Sequence, residues 1–207
     1  MAPVFPKLPS GAEVVAPFPK SIQAVRHVRS TILVASVDNL RHLGYFDAYL
    51  PHLPEQHRPV VLESVAAMWV PIDAAQAHYA AIDALELPPS VQIAMGRRAM
   101  DRVGGTLLGT SLSVAKQVGA TPWSILPHVQ RFWDRGYDGG GLAVVKLGPK
   151  EARIDVAEFS LCTMAFFRRA LTGWVASLTE LFCTKAYVHE KGSPHGPHSL
   201  SVRLQWV

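Results

Sequence analysis

The chain has only two cysteines, Cys162 and Cys183, too few for the disulfide framework of a small secreted domain. If they flank one helix, a rise of ~1.5 Å per residue puts them about 30 Å apart, far beyond the ~7 Å Cα limit for a bridge. Two free thiols and a reducing, cytoplasmic setting are therefore expected. No uncharged apolar run reaches the length of about 18 residues that a membrane-spanning helix needs, so no membrane partner is expected. Pro3, Pro6, Pro9, Pro17 and Pro19 interrupt the start of the chain and leave no apolar signal core there. Charge is also scarce. Charged residues make up 17% of the chain against 49% apolar, a lean surface that directs attention to an interface, and a homodimer is expected. The net charge of +4 is dispersed, with Lys/Arg runs no longer than the pairs Arg97-Arg98 and Arg168-Arg169, so a nucleic-acid partner is not expected. No Gly-x-Ser-x-Gly elbow is present, and Gly104-Gly105-Thr106-Leu107-Leu108-Gly109 is followed by no Gly-Lys-Ser/Thr of a phosphate loop.

What is present is most legible at the end of the chain. Leu200, Val202, Leu204 and Trp206 alternate with Ser199, Ser201, Arg203 and Gln205, the period of two of a strand with one buried face. Residues 142 to 158 read as a hairpin turning at Gly148-Pro149, with Ala152, Ile154 and Val156 on one face and Arg153 and Asp155 on the other. A helix is predicted over about 163 to 184, where Phe167, Leu171, Trp174, Leu178 and Leu181 recur at intervals of four and three. A second hairpin, 186–190 with 199–206, closes the chain across a loop containing Gly192, Pro194, Gly196 and Pro197.

Ahead of these lies a helical half over about 38 to 135, divided by prolines. Its longest helix is predicted from Ser90 towards Val118, with Gly119 as the stop and Gly104, Gly105 and Gly109 inside it. Residues 22 to 37 fit a strand or a buried helix equally, and 1 to 20 read as a Pro-rich extended arm. The fold class is α+β: a single domain over 21 to 207, with a helical N-terminal half and a four-stranded antiparallel sheet built as hairpin, helix, hairpin over about 142 to 207.

Trp123, His128, Phe132 and Trp133 crowd one segment. With Phe166 and Trp174 from the later helix, Trp123, His128 and Trp133 are the candidate lining of an aromatic pocket, His128 supplying a polar contact. On the same later helix Gly173, Ala176 and Ser177 form a small-residue stripe, the candidate interface for another backbone, a flat ligand or a partner subunit. His189, Glu190, His195 and His198 gather near the last loop, but without the fixed spacing of a metal motif they read as a solvated turn, and no metal site is assigned. His128 and Asp134 are the one pair worth inspecting for acid–base work.

The string Met95-Gly96-Arg97-Arg98 leading to Thr106-Leu107-Leu108-Gly109 resembles an uncharacterised family of about this length, expanded as paralogues in myxobacteria, over about Ser30 to Trp206. More distantly, the closing hairpin, helix, hairpin resembles the core of vinyl-4-reductase-type ligand-binding domains, TRAPP vesicle-tethering subunits and haem nitric-oxide-binding domains. The resemblance implies an α+β fold, frequent dimers and an apolar pocket between helices and sheet. It implies no catalytic residue. Haem nitric-oxide-binding domains use a proximal histidine and a Tyr-x-Ser-x-Arg motif on the haem propionates. The corresponding stretch here reads Lys146-Leu147-Gly148-Pro149-Lys150-Glu151-Ala152-Arg153, so no cofactor is expected. The resulting expectation is a non-enzymatic sensory domain binding a small apolar or aromatic molecule. The alternative is a TRAPP-like scaffold module; a haem sensor or a small-substrate enzyme stand behind these two.

Overall fold

The structure, a computed structural model, describes residues 10–64, 67–108 and 119–207, with the helical backbone alone for 101–108. The continuation of the longest helix to Val118, and Gly109 of the glycine string, lie outside the described residues.

The α+β architecture is as the sequence reads. The main sheet is five-stranded and antiparallel, in the order β1-β5-β6-β8-β7, where β1 is Glu13–Ala16, β5 Gly141–Gly148, β6 Glu151–Ala157, β7 Ala186–Gly192 and β8 Leu200–Trp206. The two expected hairpins supply four of these strands. The fifth comes from the segment read as an arm: Glu13 and Val14 pair with Lys146 and Val145 at the edge of β5. Register follows side-chain alternation. Ala152, Ile154 and Val156 of β6 stand opposite Leu204, Val202 and Leu200 of β8, and these six form one apolar inner face, each 5% exposed or less.

The helical part begins with β2 (His27–Arg29) running straight into α1 (Ser30–His42), so the ambiguous stretch 22 to 37 is both a strand and a helix. The short helices α2 (Phe46–Tyr49) and α3 (Arg58–Leu62) follow, then β3 (Trp69–Pro71), α4 (Ile72–Asp83), α5 (Pro89–Leu108), α6 (Val129–Gly136) and β4 (Tyr137–Asp138). β3, β2 and β4 form a second, three-stranded sheet. Its strands are two or three residues long, too short to leave a period of two in the sequence. Between β6 and β7 runs α7 (Ala165–Glu180).

Two tertiary contacts set α7. Its N-terminus has no local side-chain cap. Instead Asp83, at the end of α4, accepts from the backbone N–H groups of Ala165 and Phe166 at 3.1 and 2.7 Å, a carboxylate at the positive end of the helix. Along its length α7 packs on α5 almost backbone to backbone. A Cβ built on Gly173 would lie 2.0 Å from the Ile93 carbonyl oxygen, and one on Gly96 would lie 1.9 Å from that of Ala170. The motif that carried the family resemblance thus has structural roles: Gly96 permits the crossing, and Arg97 pairs with Glu180 at 2.6 Å.

The outer sheet face holds a buried ion pair. Asp155 is fully buried, 3.1 Å from Nε of Arg153, and accepts from the Ser201 hydroxyl at 2.7 Å. Asp155→Ala is expected to destabilise the fold by about 3 kcal/mol or more, because it strands a guanidinium that is itself mostly buried. Urea denaturation of the two proteins at neutral pH checks this.

Candidate functional site

The inner sheet face does not pack flush on the helices. A cavity of about 140 Å³ lies between them. Ile154, Val156 and Val202 form its floor, Phe166, Phe167, Leu171 and Trp174 of α7 one wall, Val129, Phe132 and Trp133 of α6 another, and Ile32, Ala35, Ser36 and Asn39 of α1 the roof, with Met95 and Ala99 of α5 beside it. Among the described residues no histidine, cysteine, lysine, arginine or carboxylate lines it. The walls are tied down by aromatic contacts. Trp133 meets Tyr137 and Phe159 at 4.2 and 5.1 Å between ring centroids, and Tyr79 stacks on Phe166 at 5.7 Å. The Trp133 indole donates to the Gly139 carbonyl at 2.8 Å.

Besides the Tyr79 and Tyr137 phenols and Thr179, whose hydroxyl donates to the Val175 carbonyl at 2.7 Å, the polar groups of the lining are on α1. Oγ of Ser36 is 2.9 Å from Nε2 of His78, and Nδ1 of that ring is 2.6 Å from the Tyr49 hydroxyl. Burial pushes the Tyr49 phenol up and pulls His78 down to about 3, so at neutral pH this is a row of uncharged donors and acceptors. Asn39 donates through Nδ2 to the Met95 carbonyl at 3.0 Å, while its buried Oδ1 accepts from no described group. A buried acceptor left without a donor costs about 1–3 kcal/mol. Cys162 is buried and its thiol pushed up to about 12, which makes it an unreactive packing group.

No family model matches the sequence, and no curated protein does. Solved structures do match. The Fe(II) unliganded H-NOX protein from K. algicida superposes with a TM-score of 0.59 at 10% identity, over 86% of this chain and 96% of that one. A point mutant of the T. tengcongensis H-NOX protein gives 0.55 at 12% identity, over 86% and 96%. A structure concerned with haem redox potential and protein-induced porphyrin distortion gives 0.53 at 10%, over 86% and 99%. The chain has the H-NOX fold. H-NOX domains are haem nitric-oxide/oxygen-binding domains, so this likeness is the one already read from the closing hairpin, helix, hairpin. The resemblance to a myxobacterial family has no counterpart in these comparisons. They also overturn the expectation of no cofactor, since the structures that share this H-NOX fold are those of haem-binding domains.

Of the sequence-derived pocket residues, Trp133, Phe166 and Trp174 reach the cavity. Trp123 and His128 do not. Trp123 caps the hairpin turn, donating to the Pro149 carbonyl at 2.6 Å and meeting Trp206 edge to face. His128 ends a short 3-10 turn just before α6 and is exposed, because the cavity-facing positions there are 125, 126, 129, 132, 133 and 136 and 128 falls on the opposite side of the turn. Asp134, its possible acid–base companion, instead accepts from Gln130 at 2.7 Å on the surface.

The Gly173 stripe is likewise reassigned. The backbone that approaches it is α5 of the same chain, at Ile93 and Arg97. Ala176 belongs to the core, and Ser177 is partly buried beside it. Near the last loop, His189 and His198 are exposed and His195 packs edge to face on Phe18; among the described residues no cluster of three His, Cys, Asp or Glu could hold a metal ion. No helix among the described residues is long and apolar enough to cross a membrane.

The sequence reading missed Ser36, Asn39, Tyr79 and Met95. For the first two a signal existed: two polar residues three apart in the apolar run that starts at Ile32, and so on one helical face.

Proposed function

We propose that this protein is a ligand-binding sensory domain that encloses a compact, largely apolar molecule between its helices and the inner face of its sheet. The observation that carries this reading is the cavity: about 140 Å³, walled by rigid aromatic and aliphatic side chains, at the junction of the two halves of an H-NOX fold. An apolar cavity of about 150 Å³ is the size that takes up benzene.

Haem is the cofactor that the fold brings with it, and the donors here can be set against it. Among the described lining residues the groups able to reach an iron are the Met95 thioether and the Tyr79 and Tyr137 phenols, with no imidazole, thiolate or basic side chain. His78 has both ring nitrogens engaged, by Tyr49 and Ser36. A histidine-ligated haem with its propionates on an arginine does not fit this set of donors.

Benzene titrated into the purified protein is expected to raise its melting temperature along RT ln(1+[L]/Kd), about 2.7 kcal/mol at a hundredfold excess over Kd. Ala99→Leu, which fills the cavity from α5, is expected to abolish that shift. Haem uptake is read in the same preparation. A Soret band after hemin addition, lost in Met95→Leu, would replace the compact-ligand reading with a thioether-ligated haem.

A further inference from the structure

Polar groups are few in the described lining of the cavity: the Tyr79 and Tyr137 phenols, Thr179, and, sharing a face on one turn of α1, Ser36 and Asn39. Asn39 is 1% exposed. The bond from its Nδ2 to the Met95 carbonyl, at 3.0 Å, fixes which way the amide lies, since only the NH2 side can face a carbonyl oxygen. Oδ1 is thereby left buried with no described donor. Buried acceptors in folded proteins are nearly always answered. One that is unanswered in the wall of a ligand-sized cavity is a polar group placed for what the cavity holds. Ser36 beside it is held from behind by His78 and Tyr49, so this turn of helix is preorganised.

We infer that the molecule enclosed here carries a hydrogen-bond donor and is neutral: a compact phenol or alcohol whose O–H is given to Asn39 Oδ1. The inference rests on the proposed ligand-binding reading and adds the ligand's chemistry to it. An ionised ligand is disfavoured because no charged side chain among the described residues lines the cavity to offset its desolvation. A hydrocarbon fills the space and leaves Oδ1 unanswered. A phenol of the same shape answers it.

Phenol and toluene differ by a hydroxyl for a methyl and are the probe pair. Calorimetry is expected to show the wild-type protein binding phenol. Asn39→Leu is expected to weaken phenol about tenfold, the order of one net hydrogen bond, while toluene binds as before or more tightly. Toluene uptake by the variant reports that its cavity is intact, and should that variant fail to fold, the wild-type comparison still decides. Wild-type protein that takes toluene but not phenol, or an Asn39→Leu protein that holds both as wild type does, overturns the inference about the donor and leaves the ligand-binding reading standing. Wild-type protein that takes neither overturns that reading as well.

Discussion

Gly173→Ala is expected to lower the unfolding free energy by about 3 kcal/mol or more, a large effect for one added methyl group. The methyl would sit 2.0 Å from the Ile93 carbonyl oxygen and 3.1 Å from the Arg97 nitrogen. Both are backbone atoms of α5, so no side chain can swing aside; the two helices must separate. Separation would pull Gly96 from Ala170 and stretch the Arg97–Glu180 pair of 2.6 Å, and with them one wall of the cavity. Urea denaturation of wild type and variant measures the loss. Ser177→Ala is the control, expected to change stability little because that position is only partly buried. A dimer built on the stripe would give a different result: Gly173→Ala would then change the oligomeric mass and leave the monomer's unfolding free energy intact.

Acid is expected to destabilise the protein earlier than its carboxylates alone would require, and His78 is the reason. The ring is fully buried, and burial pulls its pKa from 6.5 down to about 3. Below about pH 6.5 the unfolded chain takes up a proton that the folded protein refuses, so the stability carried by neutral His78 is complete above that pH and is lost as the pH falls towards 3. The loss is about 1.4 kcal/mol per pH unit, on the order of 4 kcal/mol over the whole window. Partners hold the Asp138, Glu151 and Glu180 carboxyls below their ordinary values, so their contributions survive at neutral pH and fade only in the acid part of that range. Urea midpoints between pH 6.5 and 5 therefore isolate the histidine. The wild-type midpoint should decline through that interval and that of His78→Gln should stay level; parallel declines would remove His78 as the cause. Through that interval the folded protein keeps His78 neutral and the row from Tyr49 to Ser36 intact, so the folded protein's affinity for a cavity ligand should stay level while its stability falls.

The residues that were legible in advance are those whose role depends on their near neighbours in the chain. The inner face of β6 and β8 could be read from alternation, because a strand's period of two is local. Of the residues the sequence offers as a pocket lining, Trp133, Phe166 and Trp174 border the cavity; only Trp174 stands on the helical repeat of the sequence, and the signal for Trp133 is the crowding of aromatic residues around it. His128 was misplaced for a related reason. A histidine among tryptophans resembles a ligand in composition, but in the 3-10 turn entering α6 His128 is exposed, since each residue of such a turn swings the side chain by about 120° away from the cavity-facing positions beside it. Ser36 and Asn39 carry a signal in their spacing of three within an apolar run, but what such polar residues answer is set by neighbours from other helices.

By itself the sequence determined the α+β class, the two hairpins with the helix between them, two thiols too distant to pair, and an apolar helical face aimed at the sheet. Each follows from backbone periodicity and from the local preferences of glycine, proline and β-branched residues. Tertiary structure alone decided that the glycine stripe is spent on α5 of the same chain, that Asp83 caps a helix 82 residues further on, that β1 closes the sheet's edge, and that a cavity remains in whose lining the buried Asn39 Oδ1 accepts from no described group. Those depend on which distant surfaces meet, and that is set by how two halves of a core fill, or fail to fill, the space between them.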